Sequence, residues 1–201
     1  MQQATYICVV LDASSSMDHI KKETKKSFHT FLDKQRQEPE KTIFDLYQFS
    51  DETTRLIHAV DLSTWKDDPL KHYQCNGCTA MNDAICIAID TLGKDLATMP
   101  EPERPDHVLV VIITDGEENS SRTYTTADVK TRIQHQTDKY SWDFIFLGAN
   151  LDAVQEGAEL GITADQCVQF EATQEGMVSF APQMGVPVQE ARERARKRRQ
   201  Q

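Results

Sequence analysis

The chain has 201 residues, of which 39% are hydrophobic and 27% are charged, and its formal net charge is −10. This length suits one domain and hardly two, and the composition is ordinary for a globular protein. An acidic body disfavours non-specific binding of nucleic acid, and no stretch approaches the ~20 apolar residues that a membrane span needs.

The start of the chain and its cysteines indicate a compartment. Residues 1–11 have no basic segment ahead of an apolar core, so they resemble a first strand more than a signal peptide. The cysteines number five, and an odd count without an export signal favours reduced thiols. We therefore expect a cytoplasmic protein.

Strands and helices alternate along the predicted fold. Apolar runs and period-two alternation predict six strands, over Thr5–Leu11, Thr42–Phe49, Arg55–Val60, His107–Ile113, Trp142–Leu147 and Gln166–Phe170. Apolar residues at helical spacing predict four helices, over Asp18–Gln37, Met81–Leu96, Thr125–Thr137 and Leu151–Leu160. The connection between the second and third of these strands is short, which favours an antiparallel hairpin. The pattern predicts an α/β fold with a mostly parallel sheet, one antiparallel edge strand and helices on both faces.

Polar clusters stand beside these elements at three places. Asp12, Ser14 and Ser16 follow the first strand, Thr79 precedes the second helix, and Asp115 follows the most hydrophobic strand. Ligands of such sheets bind beyond the carboxyl ends of the strands. We therefore predict that the five side chains meet at one rim of the sheet.

Two acids and three hydroxyls suit a hard divalent cation, because Mg²⁺ prefers oxygen ligands in a near-octahedral shell. We expect Ser14, Ser16 and Thr79 to be direct ligands, with Asp12 and Asp115 acting partly through water. Neutral hydroxyls would leave the ion able to take a carboxylate from outside. For any one cluster, helix capping or a simple turn is the alternative interpretation.

The same clusters resemble a known family. DASSSM after an apolar strand, GCT before a helix and ITDGEEN after the most apolar strand are similar to the motifs of von Willebrand factor type A (vWA) domains. The resemblance covers about residues 4–170. It implies a Rossmann-like three-layer sandwich that carries a metal-ion-dependent adhesion site (MIDAS). The stretch FLGANLDA, with Gly148 and Asn150, is further similar to intracellular bacterial and phage members.

The resemblance also implies a function. vWA domains commonly bind a partner protein, and an acidic side chain of the partner replaces a water on the Mg²⁺ ion. The family's metal-site residues correspond to Asp12, Ser14, Ser16, Thr79 and Asp115 of this chain. We therefore expect a non-enzymatic interaction module that uses Mg²⁺, or Mn²⁺ or Ca²⁺ in its place, to bind an unidentified acidic partner.

Two features depart from the family pattern. Ser15 stands where glycine is common, which costs little unless the position needs a positive φ. Cys75 and Cys78 form a C-x-x-C pair beside Thr79. With His72 three residues earlier, the pair is open to a zinc or redox interpretation. A structural zinc site needs a fourth ligand, and none is nearby in sequence. Two reduced loop thiols are therefore favoured.

Two other functions stay open on the sequence. Asp12 could be the phosphoryl-accepting nucleophile of an Mg²⁺-dependent, phosphatase-like hydrolase. Such enzymes place a general acid two residues on, where this chain has Ser14, and a lysine near the site, which has no clear counterpart here. A scaffold with a vestigial metal site is the other alternative.

The C-terminal region has the weakest pattern. We take residues 1–170 as the vWA-like domain and 171–188 as an extension that packs on it or trails from it. Residues 189–201 are a basic tail, with six Lys and Arg against two Glu over 190–199. We expect a disordered end or a frayed helix, and the alternative is a handle for nucleic acid or an acidic partner surface.

Overall fold

A computed structural model describes residues 3–149 and 152–200 of the chain. The described strands are β1 (Ala4–Asp12), β2 (Lys41–Phe49), β3 (Thr53–Asp61), β4 (His107–Thr114), β5 (Asp143–Ala149) and β6 (Cys167–Phe170). The α-helices are α1 (Lys21–Arg36), α2 (Met81–Thr98), α3 (Thr126–Tyr140), α4 (Ala153–Glu159) and α5 (Gln174–Gln200). The strands form one sheet in the order β3-β2-β1-β4-β5-β6, in which only the β2–β3 pair of the described strands is antiparallel. The predicted three-layer α/β fold, with one antiparallel edge strand, is confirmed.

The two most apolar strands, β1 and β4, lie at the centre of the sheet because helices cover both of their faces. Alternate residues of β1 enter two separate cores. One core contains Ile7, Val9 and Leu11 together with residues of α1 and α5. The other contains Tyr6, Cys8 and Val10 together with residues of α2 and α3. No helix in the described ranges is both long and apolar enough to cross a lipid bilayer.

The helices predicted from periodicity are present, with shifted ends. A 3₁₀ turn over Ser15–Ile20 precedes α1, where the sequence predicted one continuous helix. Thr125 caps α3, since its side chain accepts from the Asp128 N–H and the Asp128 carboxylate accepts from the Thr125 N–H. α4 is shorter than its prediction, and Asn150 and Leu151 lie outside the described residues.

The C-terminal region differs most from expectation. In place of a disordered or frayed tail, it forms one long helix, α5, after the helix that was expected to be the last. Pro182 and Pro187 lie inside α5, and Gly176 and Gly185 add two weak helix formers, so helical propensity alone does not reveal it. Burial of Met184 and other apolar side chains against α1 and the sheet stabilises the helix instead.

Basic residues hold α5 against the domain. Arg192 is fully buried and donates to Gln35 Oε1 at 3.0 and 3.2 Å and to Thr42 Oγ1 at 2.8 Å, while its guanidinium lies 3.7 Å from the Glu40 carboxylate. Further ion pairs along the helix are Arg194–Asp143, Arg198–Asp143, Arg196–Glu38, Arg196–Glu40 and Arg199–Glu40. These arginines face carboxylates of their own domain and leave little unpaired charge for a nucleic acid.

Arg192→Ala should lower the free energy of unfolding by about 3 kcal/mol, because it leaves Gln35 and Thr42 without their buried donor and removes the cation beside Glu40. Urea denaturation followed by circular dichroism measures the change. Lys197→Ala, at an exposed position of the same helix, is the control and should cost less than about 0.5 kcal/mol. Equal effects of the two substitutions would contradict this role of the buried guanidinium.

Acid should loosen α5. Burial disfavours the charged forms of Glu40 and Asp143. The Arg196 guanidinium outweighs burial at Glu40, and His107 and Arg198 outweigh it at Asp143, so the pKa of each carboxyl group is lowered. The unfolded chain therefore binds these protons more readily than the folded chain. The stabilisation is complete at neutral pH and is lost as the pH falls from about 4.5 through the folded-state pKa values.

Hydrogen exchange of the α5 amides at about pH 6 and about pH 3.5 tests this dependence. Protection should fall at the lower pH in the wild type. Glu40→Gln should start with lower protection and lose less of it over the same interval. An α5 that keeps its protection at the lower pH would rule out an electrostatic contribution of this size.

Candidate metal centre

Two of the three predicted clusters meet directly at the carboxyl edge of the sheet. Asp12 is the last residue of β1, and Asp115 follows β4, which pairs with β1. Ser16 Oγ donates to Asp115 Oδ1 at 2.6 Å and lies 2.9 Å from Ser14 Oγ. Side chains that are 99 residues apart are therefore in contact at one rim.

Thr79 reaches the same rim from the loop before α2. A Cβ atom placed on Gly116 would lie 3.4 Å from Thr79 Oγ1 and 3.8 Å from Ser16 Oγ. The two hydroxyls therefore flank one glycine, and a side chain at position 116 would crowd both. The structure thus brings all five predicted residues to one place.

Backbone contacts hold the Thr79 loop. The Thr79 N–H donates to Asn119 Oδ1 at 2.9 Å, and the Asn119 N–H donates to the Thr79 carbonyl at 3.1 Å. Gly77 has a φ of +72°, and a Cβ atom there would overlap the Asp51 carboxylate, so glycine is required. The Gly77 carbonyl accepts from both the N–H and the hydroxyl of Ser15. Ser15 has no positive φ, so a serine in place of glycine adds no backbone strain.

Two carboxylates fasten the loop after β4 to the start of α2. Glu118 accepts from the Asn82 N–H at 2.7 Å and from two N–H groups of its own loop. Asp83 accepts from the backbone N–H groups of residues 122–124. These acids position Asp115 and do not point to a second cation site. Sequence reasoning missed them along with Asn119, although ITDGEEN contains Glu118 and Asn119.

Asp12 carries a buried charge with both oxygens engaged. Its Oδ1 accepts from the Ser14 N–H at 2.7 Å, and its Oδ2 accepts from the Thr114 hydroxyl at 2.6 Å. Burial raises the pKa of Asp12 to about 6, because these hydrogen bonds offset it only in part and Asp115 adds a like charge. Burial also raises the pKa of Asp115. In the described chain, no Lys, Arg or His nitrogen lies within 4.0 Å of either carboxylate.

His19 brings positive charge to the edge of the rim. Its Nδ1 lies 2.5 Å from the Ser16 carbonyl oxygen and its Nε2 lies 2.9 Å from the Ala172 carbonyl oxygen. Both nitrogens can donate at once only in the imidazolium form. Hydrogen bonding to the Ala172 and Ser16 carbonyls accordingly raises the pKa of His19.

The donor set fits a divalent cation. Two buried carboxylates with no cationic side chain in direct contact in the described chain need further compensating charge. Neighbouring oxygens in an octahedral Mg²⁺ shell lie about 2.9 Å apart, which is the separation of the Ser14 and Ser16 hydroxyls. The capping alternative is wrong for Ser16 and Thr79, because the N-cap residues of α1 and α2 are Ile20 and Ala80 and neither helix has a side-chain cap.

Other metal sites lack ligands. Within the described ranges, no group of three or more His, Cys, Asp or Glu side chains is arranged to hold a metal ion. Cys75 is half-buried and Cys78 is exposed, and both are free thiols. The C-x-x-C pair therefore has no zinc ligand set there, whereas the rim depends on serine and threonine hydroxyls.

Comparison with known proteins decides the family. The sequence model of the von Willebrand factor type A domain matches residues 7–180. The chain belongs to the vWA domain family. No curated protein sequence matches it significantly. The family predicted from the three motifs is therefore confirmed.

Solved structures share the vWA fold at low sequence identity. Proximal thread matrix protein 1 from the mussel byssus, with a zinc-occupied MIDAS motif, matches with a TM-score of 0.66 and 17% identity over 93% of this chain and 46% of that chain. The SpRpn10 VWA domain matches with a TM-score of 0.59 and 15% identity over 90% and 96%. The vWA protein from Catenulispora acidiphila matches with a TM-score of 0.55 and 16% identity over 92% and 43%. This vWA chain thus spans less than half of the mussel protein.

Asp12→Asn should stabilise the metal-free chain. The amide oxygen of the new side chain can still accept from the Ser14 N–H. Its N–H can donate to the Thr114 hydroxyl, whose own proton can then be donated to the Gly116 carbonyl. At about pH 7.5, above the raised pKa, removal of the buried charge should increase the free energy of unfolding in EDTA by about 1–2 kcal/mol. Urea denaturation measures this change, and a decrease would contradict an uncompensated charge at Asp12.

Proposed function

We propose that this vWA chain binds a partner protein through a divalent cation held at the rim, with an Asp or Glu side chain of the partner completing the coordination. The observation that carries the proposal is the meeting of three hydroxyls with two buried carboxylates that, in the described chain, have no basic nitrogen within 4.0 Å. The bound cation would supply positive charge and an open position for a carboxylate oxygen. Mg²⁺ suits this all-oxygen set, and Mn²⁺ and Ca²⁺ share its preference for oxygen.

The chain's own residues divide the work. Ser14, Ser16 and Thr79 would be the direct ligands. Asp115 accepts a hydrogen bond from the Ser16 hydroxyl. The lone pairs of the Ser16 oxygen are then left free for a metal ion. Asp12 fixes the first loop through the Ser14 N–H. Ser16 is exposed, whereas Ser14 and Thr79 are buried, so a partner would approach from the Ser16 side.

The hydrolase alternative has less support from the geometry. A nucleophilic carboxylate must reach the phosphorus of its substrate, but Asp12 is fully buried and both of its oxygens accept hydrogen bonds. In the described chain, no lysine nitrogen lies within 4.0 Å of it to bind a phosphate. The scaffold alternative differs only in predicting that neither metal nor rim substitutions affect binding.

We also propose a cytoplasmic location. It is supported by the cysteines, which are all free thiols although Cys75 and Cys78 stand close in sequence. Reduced thiols are typical of the cytosol. The proposal does not affect the argument for the rim.

Thr79→Ala should weaken Mg²⁺ binding by at least about tenfold, because it removes a direct ligand. Isothermal titration with MgCl₂ and MnCl₂ measures the affinity. Ser15→Ala is the matched control, since the Ser15 hydroxyl lies between Ser14 and Ser16 in the loop after β1 but donates to the Gly77 carbonyl. It should change the affinity by less than about twofold. Absence of Mg²⁺ and Mn²⁺ binding by the wild type at about 10 mM would overturn the metal hypothesis.

Affinity capture with the immobilised chain then separates the function classes. The proposal predicts a bound protein that EDTA and Thr79→Ala both release and that Ser15→Ala retains. Capture that none of these changes affects would support the scaffold. Turnover of p-nitrophenyl phosphate that needs Mg²⁺ and is abolished by Asp12→Asn would support the hydrolase instead.

A further inference from the structure

A second concave site lies at the other end of the sheet from the rim. It is a groove of about 790 Å³ between the C-terminal parts of α2 and α3 and the start of β4. This volume is typical of sites for small organic ligands. Its apolar lining includes Ile89, Leu96, Val108 and Trp142.

Gly93 leaves the floor of the groove open. Glycine inside a helix costs stability relative to other residues, and α2 nevertheless has one where it lines the groove. A Cβ atom at this position would meet only the Gln136 amide nitrogen, at 3.5 Å. The space over the helix is therefore free for a ligand, and a larger side chain at position 93 would take it.

The groove has unpaired positive charge on an acidic domain. Lys94 and Arg104 both line it, and in the described chain neither has a carboxylate within 4.0 Å. Arg104 is held in place because its guanidinium donates to the Met99 carbonyl at 3.1 Å and to the Ala97 carbonyl at 3.3 Å. A cation that is positioned by neutral carbonyls keeps its charge for an incoming anion.

The acids of the groove, in contrast, have partners. Asp90 binds Arg132 through both oxygens, at 3.0 and 3.1 Å. Asp106 accepts from the Ala4 N–H at 2.9 Å and lies 3.9 Å from the Arg199 guanidinium. The groove therefore favours an anionic ligand although the chain as a whole carries −10.

His107 supplies a buried polar atom without a partner. Its ring lines the groove and is almost fully buried, and its Nε2 lies 2.8 Å from Asp143 Oδ2. Asp143 is ionised, so this hydrogen bond assigns a proton to Nε2 and leaves Nδ1 as the ring nitrogen available to another group. In the described chain Nδ1 has no hydrogen-bond partner. Buried polar atoms are rarely left so, and a polar group of a ligand would satisfy this one.

We propose that the groove binds a small aromatic carboxylate whose ring carries a polar group. The ring would pack on Trp142 and Leu96, the carboxylate would lie near Lys94 and Arg104, and the polar ring group would face His107. This site shares no residue with the rim and needs no metal ion, so its occupancy is independent of the proposed adhesion function.

Nuclear magnetic resonance of the full ¹⁵N-labelled chain tests the proposal, because the chain has two tryptophans, Trp65 and Trp142. The probes are indole-3-acetate and 4-hydroxyphenylacetate, with indole-3-acetamide as the uncharged control. The Trp142 indole signal should shift with a dissociation constant of about 1 mM or below for an acid of this size. The Trp65 signal, on the opposite core, should stay in place. EDTA should change neither result.

Three substitutions place the ligand. Lys94→Gln and Arg104→Gln should each lower the affinity for the two acids about threefold. Lys26→Gln, which removes the same charge at an exposed position of α1, is the control and should leave the affinity unchanged. Gly93→Leu should abolish the Trp142 shift without lowering the melting temperature, since leucine is a better helix former.

Three results would overturn the proposal. The first is no Trp142 shift with either acid at about 10 mM, and a shift that a protein partner causes instead would assign the groove to a macromolecule. The second is binding of the acetamide as tight as that of the acid. The third is binding of the acids that Gly93→Leu does not affect.

Discussion

The parallel pairing of β1 with β4 is the constraint on which the rest of the structure depends. Its register runs from Thr5 opposite His107 to Leu11 opposite Ile113. Both strands end together, so Asp12 comes level with Thr114, whose hydroxyl binds the Asp12 carboxylate. A slip of one residue would exchange the two apolar faces of a strand, which burial on both sides forbids. The packing of the core thus determines where the first carboxylate of the site lies.

Carboxylates in this protein have opposite electrostatic environments at different places. Under α5, arginines lower the pKa values of Glu40 and Asp143 in spite of their burial. At the rim, burial raises the pKa values of Asp12 and Asp115, and the charge of His19 lowers that of Asp115 only in part. The chain has arginines available and places them elsewhere. Such a pair costs stability in the folded chain, and the cation proposed for the rim would offset this cost.

The sequence predicted the strands, the rim and its five residues because each depends on local pattern and on the topology that follows from it. α5 could not be predicted in the same way. Its stability comes from Arg192 and partners that are 150 and 157 residues away, and its prolines argue against a helix. The roles of the Thr114 hydroxyl and of Asn119, which exchanges two hydrogen bonds with the Thr79 backbone, were missed because they depend on contacts between loops. The groove at Gly93 exists only through the spacing of two helices, and no sequence motif records that spacing.

The use of hydroxyls in place of further acids has a consequence for the proposed function. Two ionised aspartates balance the charge of one divalent cation, and Ser14, Ser16 and Thr79 add donors without adding charge. If Ser14 and Ser16 were carboxylates, the centre would become anionic and would resemble the acidic cages that hold Ca²⁺ by themselves. An acidic side chain of a partner would then be repelled, all the more by a domain that already carries −10. In the proposed centre, neutral ligands would therefore keep a cation bound while leaving it attractive to a third carboxylate.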